Sequence, residues 1–185
     1  MSLLVLGLDP GFANVGWALV ELDGSGGKEA LLGMGLISTE KSAKKQNVLA
    51  SNDNYRRARE ISRALRAMTP KPHVICAEAM SFPRNASAAA KVAMTWGVVA
   101  DYCESEGVAM LMASPKELKN AVCQNASASK EEVQAALKSR FGVRPGELLK
   151  VAGVPPSSQE HPYDALAAVV ACLHSETLTL LRRAP

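Results

Sequence analysis

Aromatic side chains are scarce in this chain: they make up 4% of 185 residues, and only three are Phe. Phe82, in the loop-like stretch FPRN, is conspicuous for that reason. Paired cysteines are missing. Cys76, Cys103, Cys123 and Cys172 are scattered without CxxC spacing, which excludes the usual zinc site and disulfide framework. They read as reduced, mostly buried thiols of a cytosolic protein. Long hydrophobic runs are missing as well. The apolar run after Met1-Ser2 covers only residues 3–8, has no basic stretch before it and stops at Asp9. Neither a signal peptide nor a membrane span is expected. There is no internal repeat. Charge of one sign does not dominate: the net charge of +3 permits a nucleic-acid partner without demanding one. The expectation is a single domain over 1–185, located in the cytoplasm.

What is present is an α/β pattern. Residues 3–8 form a continuous apolar run, as in a strand buried on both faces. Strands are expected at 15–21, 30–38, 73–77 and 107–112, the second and third joined by a hairpin turn in 23–28. Helices are expected at 53–68, 86–106 (closed by Gly107), from Ser114-Pro115 to about 122, from near Ser129, and over 162–181. Residues 40–54 and the Gly/Pro/Ser-rich 142–159 read as loops. On helix 53–68, Ala58, Ile61, Leu65 and Met68 mark a buried face. Arg56, Arg59, Arg63 and Arg66 mark another, either a solvated face or a phosphate track. The order predicts a mixed sheet with its first three strands in a meander and the later ones parallel through helical crossovers.

Acidic residues stand at the junctions of these elements. Asp9 ends the first strand and precedes Pro10-Gly11. Glu78 ends the run HVICAE. His161 and Asp164 flank Pro162 at the start of the last helix. A carboxylate beside a core is costly unless something binds it, so three at element ends suggest convergence on a divalent metal. Each also has a plainer reading. Asp9 can cap its own turn. Glu78 can reach solvent from an edge. With Pro162 as the first helical residue, His161 and Asp164 can form a capping pair, and Glu160 can substitute in either role. Trp96 and Gly97 in the Ala-rich helix suit either sheet packing or a dimer contact.

The ordered set LGLDPGFANVGWALVE, HVICAEAMSFPRNASAAAK, SPKELKNAVCQNASASKEEV and HPYDALAAVVACLH resembles the RuvC family of Holliday-junction resolvases, within the RNase H-like nuclease superfamily. The resemblance implies an RNase H-like fold with a mixed five-stranded sheet flanked by helices. It makes Asp9, Glu78 and Asp164 carboxylate ligands, with His161 where relatives carry Asp or His. Lys119 and Lys130 match DNA-contacting lysines. Phe82, with Arg84 beside it, stands for the wedge aromatic beyond the catalytic Glu. Segment 40–54 is longer than the family's pattern.

The activity so implied is paired, symmetric nicking of four-way DNA junctions in recombination and repair. It leaves a 5′-phosphate and a 3′-hydroxyl and uses two Mg²⁺ ions that Mn²⁺ can replace. His161 would be a ligand or a base. Two cuts on opposite strands call for a homodimer, and a branch-migration complex is a further candidate partner. The alternatives are a YqgF-like nuclease acting on RNA or other branched nucleic acid, and a non-catalytic junction-binding protein.

Overall fold

The computed structural model describes residues 2–24, 29–80 and 85–183. Strands β1 (Leu3–Pro10), β2 (Asn14–Leu22), β3 (Glu29–Ser38), β4 (Val74–Glu78) and β5 (Ala109–Ala113) form one sheet in the order β3-β2-β1-β4-β5. β1 pairs antiparallel with β2 and β2 with β3. β1 pairs parallel with β4, and β4 with β5. This is the expected meander followed by parallel strands.

Side chains alternate across the sheet, so β1 feeds two cores at once. Leu6 and Leu8 pack with Ile61, Leu65, Val99 and Tyr102 on one face. Those partners lie on α1 (Ala50–Arg66) and α2 (Ala86–Glu106). Val5 packs on the other face with Val74, Cys76 and the buried residues of α6 (Glu160–Cys172). Asp9 has the parity of Val5, and Glu78 that of Val74 and Cys76. Both acids therefore share the α6 face. Leu8 lies opposite Ala77, which makes Asp9 and Glu78 the next residues on neighbouring parallel strands.

Two glycines let α6 lie directly on the sheet. A Cβ at Gly7 would stand 2.0 Å from the Ala165 carbonyl oxygen, and one at Gly16 would stand 2.1 Å from that of His161. No side chain fits between these backbones.

Several expected starts and stops are found. Ser114 caps α3 (Pro115–Cys123) in a full capping box with Glu117, with Pro115 in its first turn. Ser129 does the same with Glu132 for α4 (Lys130–Phe141). Gly107, at φ 66°, closes α2.

Other expectations are corrected. Segment 40–54 contains a 3-10 turn at Lys44–Gln46, and α1 already begins at Ala50. Residues 142–159 are not all loop: α5 spans Arg144–Val151, followed by a 3-10 turn at Pro156–Ser158. Pro145 is tolerated because it sits in the first turn, and it and Leu149 are buried. The last helix begins at Glu160, two residues before Pro162, and ends at Cys172. α7 (Glu176–Arg183) follows, and its first turn is held by Ser175, whose Oγ accepts from the Leu178 amide at 3.2 Å. The turn expected in 23–28 lies mostly outside the described residues.

All four cysteines are free; Cys76 and Cys172 are buried. Among the described residues no single helix is long and apolar enough to cross a membrane. The bent pair Pro156–Cys172 and Glu176–Arg182, at 78°, passes by length and composition only, and its first helix is the buried core of the α6 face.

Candidate functional site

The carboxylates meet at the carboxyl-terminal edge of the parallel strands, where open α/β sheets bind ligands. Asp9 and Glu78 come from β1 and β4. Asp164 comes from the second turn of α6. His161 stands one turn earlier on the same helix face, and its Nδ1 lies 2.7 Å from Asp9 Oδ2. Because α6 starts at Glu160, His161 and Asp164 are not a capping pair: Gln159 stands at the cap position with no side-chain cap bond. Their i, i+3 spacing instead aims both at the strand ends.

The acids perturb one another. Burial, then the charges of Asp9 and Glu78, push Asp164 up to about 7. Burial, then Asp9, raise Glu78 above the usual carboxylate range, while Lys130 and Lys119 oppose the rise. The hydrogen bond to Asp9 raises His161 above its ordinary value. Burial and mutual repulsion thus give these acids a cost that a bound cation would relieve.

Two clefts meet at Glu78. One, of about 210 Å³, is lined by Glu78, Asp164, Lys119 and Lys130 with Pro115 and Leu118. The other, of about 180 Å³, is lined by Asp9, Gly11, Glu78, Met80, Val92 and Trp96. A larger apolar cavity of about 390 Å³ lies elsewhere, between Trp17, Leu32 and the segment 68–72, and holds no titratable group. The acids and lysines of the candidate site line the two smaller clefts.

The structure thus brings together Asp9, Glu78, His161, Asp164, Lys119 and Lys130. Glu160, the alternative to His161 or Asp164, pairs with Lys130 at the cleft wall, with Nζ to Oε2 at 2.5 Å, and its Oε1 lies 3.9 Å from His161 Nε2. Phe82 and Arg84 lie outside the described residues. The Arg face of α1 is only partly free: Arg56 pairs with Asp53 and Glu60, and Arg66 with Asp101 and Glu106. Trp96 is half-buried and forms a wall of the second cleft rather than core alone.

Sequence reasoning missed Arg57. It is buried, at 3% exposure, with no carboxylate partner. Its Nε donates to Thr39 Oγ1 at 2.9 Å, and Nη2 donates to the carbonyls of Thr39 at 3.2 Å and Phe12 at 3.4 Å. Its guanidinium lies 4.4 Å over the Phe12 ring. Thr39 Oγ1 donates to the Phe12 carbonyl at 2.8 Å. Arg57 and Thr39 thereby brace the turn that leaves Asp9. Arg57 is one residue off the exposed stripe, and no local pattern distinguishes it from its neighbours.

The donor set consists of hard carboxylate oxygens with one imidazole, the right chemistry for a hard divalent cation. Among the described residues, no three His, Cys, Asp or Glu side chains are already gathered tightly enough to grip one ion.

A mixed five-stranded sheet in this order, with acids converging from β1, β4 and a helix packed across them, defines an RNase H-like nuclease fold. Comparison with known proteins is more specific. The chain belongs to the RuvC family: the family model described as crossover junction endodeoxyribonuclease RuvC matches residues 5–172. A crossover junction endodeoxyribonuclease RuvC of Treponema denticola is 30% identical over 166 residues, which span 90% of this chain and 83% of that one. The Thermus thermophilus RuvC structure superposes with a TM-score of 0.70 at 26% identity, over 97% and 98% of the two chains. The same protein in complex with a Holliday junction substrate superposes with a TM-score of 0.66 at 24% identity, over the same shares.

Proposed function

We propose that this chain is a structure-selective endonuclease that resolves four-way DNA junctions by paired, symmetric, metal-dependent nicks. The single observation carrying the reading is that Asp9, Glu78 and Asp164 meet at two adjoining strand-end clefts that share Glu78, one of them walled by Lys119 and Lys130. A junction binder without chemistry has no use for three mutually repelling acids facing a polyanion. Residues 1–185 act as one nuclease unit, working on DNA in the cytoplasm.

Asp9, Glu78, Asp164 and His161 would hold the divalent ions, Mg²⁺ or Mn²⁺. When bound, such ions supply charge for both the attacking and the leaving oxygen of the phosphodiester. The chain's own residues have separate tasks. Lys119 and Lys130 hold the backbone over the cleft and offset the charge of the acids. His161 keeps the Asp9 carboxylate oriented through Nδ1. The α6 backbone, seated on Gly7 and Gly16, fixes Asp164 against β1. Phe82 and Arg84 follow Glu78 closely enough in the chain to touch unpaired bases at the branch point.

Two symmetric cuts need two sites related by a dyad, and a homodimer provides them. The exposed face of α2 suits that contact, since a Cβ at Gly97 would meet nothing within 4 Å and a second helix has room there. A branch-migration complex would deliver the junction.

The test is cleavage of a labelled synthetic four-way junction against linear duplex, in Mg²⁺, Mn²⁺ and EDTA, with wild type and Asp9→Asn. Paired nicks that need metal and vanish in the variant, with binding retained, support the reading. Tight binding without cleavage in either metal would replace it with a structural role. Cutting of RNA in place of junctions would leave only the nuclease fold.

A further inference from the structure

The chain's positive charge is concentrated in one segment. Residues 39–64 contain seven Lys or Arg and three Asp or Glu, while the remaining chain has fourteen against fifteen. This segment alone accounts for the net positive charge of the protein.

The structure gives the segment a defined surface. Residues 39–42 are tied to α1: Asp53 Oδ1 accepts from the Ser42 hydroxyl at 2.6 Å and amide at 3.1 Å, and Arg56 Nη2 donates to the Glu40 carbonyl at 2.6 Å. The same stretch is tied to the catalytic edge. The Thr39 amide donates to the Ala13 carbonyl at 2.8 Å, and Arg57 holds the Phe12 carbonyl. Phe12 is three residues from Asp9. The surface therefore starts at the turn that follows Asp9, on the sheet face opposite α6, and runs outward along α1.

Five of its seven cations are unspent, Arg56 being paired and Arg57 buried. Lys41, Lys44, Lys45, Arg59 and Arg63 are exposed and make no ion pair among the described residues. At the far end of α1 the opposite holds: Arg66 and the nearby Lys71 are neutralised by Asp101 and Glu106. Free charge thus lies before the end of α1 and not at it. Tyr55 is 62% exposed, and the Arg59 guanidinium lies 5.5 Å from its ring centre. An exposed aromatic carrying a stacked guanidinium among free lysines is suited to a sugar-phosphate backbone.

We propose that residues 41–49 and the outer side of α1 form a second DNA-contact surface, which guides one duplex arm of the junction away from the acidic cleft. The surface takes the phosphate backbone of duplex DNA and is blind to sequence. This extends the nuclease reading above, since the arm is useful only if the branch point sits at the cleft.

The experiment measures binding of the full-length protein across a salt series, to a long-armed junction, an arm-truncated junction and a linear duplex. Wild type is compared with Lys41→Gln/Lys44→Gln/Lys45→Gln and with Arg59→Gln, with melting curves confirming folding. Neutralising three phosphate contacts lowers the slope of log K against log salt by up to about 2.7. Affinity for the long-armed junction falls about tenfold or more at low salt, and the loss shrinks on the arm-truncated junction. Variants that match wild type in slope and affinity on every DNA would overturn the proposal and leave an acidic protein as the partner of this face. An equal loss on both junctions would overturn the assignment to an arm. Wild type that binds junction no better than duplex would sink the nuclease reading instead, and the duplex slope would still report on this surface.

Discussion

His161 Nδ1 stands 2.7 Å from Asp9 Oδ2, across 152 positions of sequence. The contact joins the end of the first strand to the first turn of α6. It exists because α6 lies on Gly7 and Gly16 with backbone touching backbone.

Glycine at these two positions should be required for activity as much as for stability. Gly16→Ala puts a Cβ 2.1 Å from the His161 carbonyl oxygen, so the start of α6 must shift. The expected cost is about 1–3 kcal/mol by denaturant unfolding, typical of overpacking. Junction cleavage should fall far more than junction binding, because the shift moves His161 and Asp164 while leaving Lys119 in place. Equal losses of both would argue against a positioning role.

Metal-free protein should lose stability as pH rises. His161 has a raised folded value, so its pair with Asp9 contributes fully below its ordinary 6.5 and is lost as pH climbs through the folded value. Asp164 is an acid raised from 3.8 to about 7. The unfolded chain ionises this acid from about 3.8 while the folded protein holds it neutral until about 7, so its cost to the fold builds across that interval and is complete above about 7. Both effects have the same sign. With EDTA, Tm should drop between about pH 5 and about pH 8, and Mg²⁺ should raise Tm more at the upper end, because binding displaces protons. A Mg²⁺ shift independent of pH would count against these residues as ligands.

Asp164→Asn should separate stability from catalysis. It removes an ion that burial and two neighbouring acids disfavour. In EDTA at about pH 8 the variant should melt a few degrees above wild type, since about 1 kcal/mol corresponds to roughly 2–4 °C for a domain of this size. Its cleavage should be lost. A lower Tm at that pH would mean that Asp164 is held by partners stronger than its repulsion.

Arg57→Met tests a buried cation. The guanidinium has only neutral oxygens and the Phe12 ring around it. An apolar chain of similar length removes the donor and leaves the buried carbonyls of Thr39 and Phe12 short of it, so unfolding should cost about 1–3 kcal/mol. The turn after Asp9 loses a brace as well, and cleavage at saturating junction should drop. Arg57→Lys, which restores one donor, should recover part of it. Wild-type cleavage in Arg57→Met would reduce the residue to packing.

Much of the sheet was legible because β1, β2 and β4 carry continuous or alternating apolar runs ended by turn residues. The caps at Ser114 and Ser129 were legible because capping is local chemistry. α5 was not: Pro145 and Gly146 look like loop residues, and only burial of Leu149 and Pro145 under the α6 face makes the helix worthwhile. The break before α7 has no Gly or Pro to announce it; Ser175 is the one local sign.

The sequence by itself determined which acids end which elements, since strand length, turn residues and parity act over a few residues. It placed Asp9, Glu78 and Asp164 in a common chemistry and supplied the lysines. The tertiary structure decided what each of them faces. That Glu160 turns to Lys130, that His161 turns to Asp9, that Arg57 goes inside while Arg59 stays out, and that unspent cations collect on one face of α1 all depend on packing between segments far apart in the chain. Long-range packing selects among residues that are locally equivalent, so no local pattern can carry that choice.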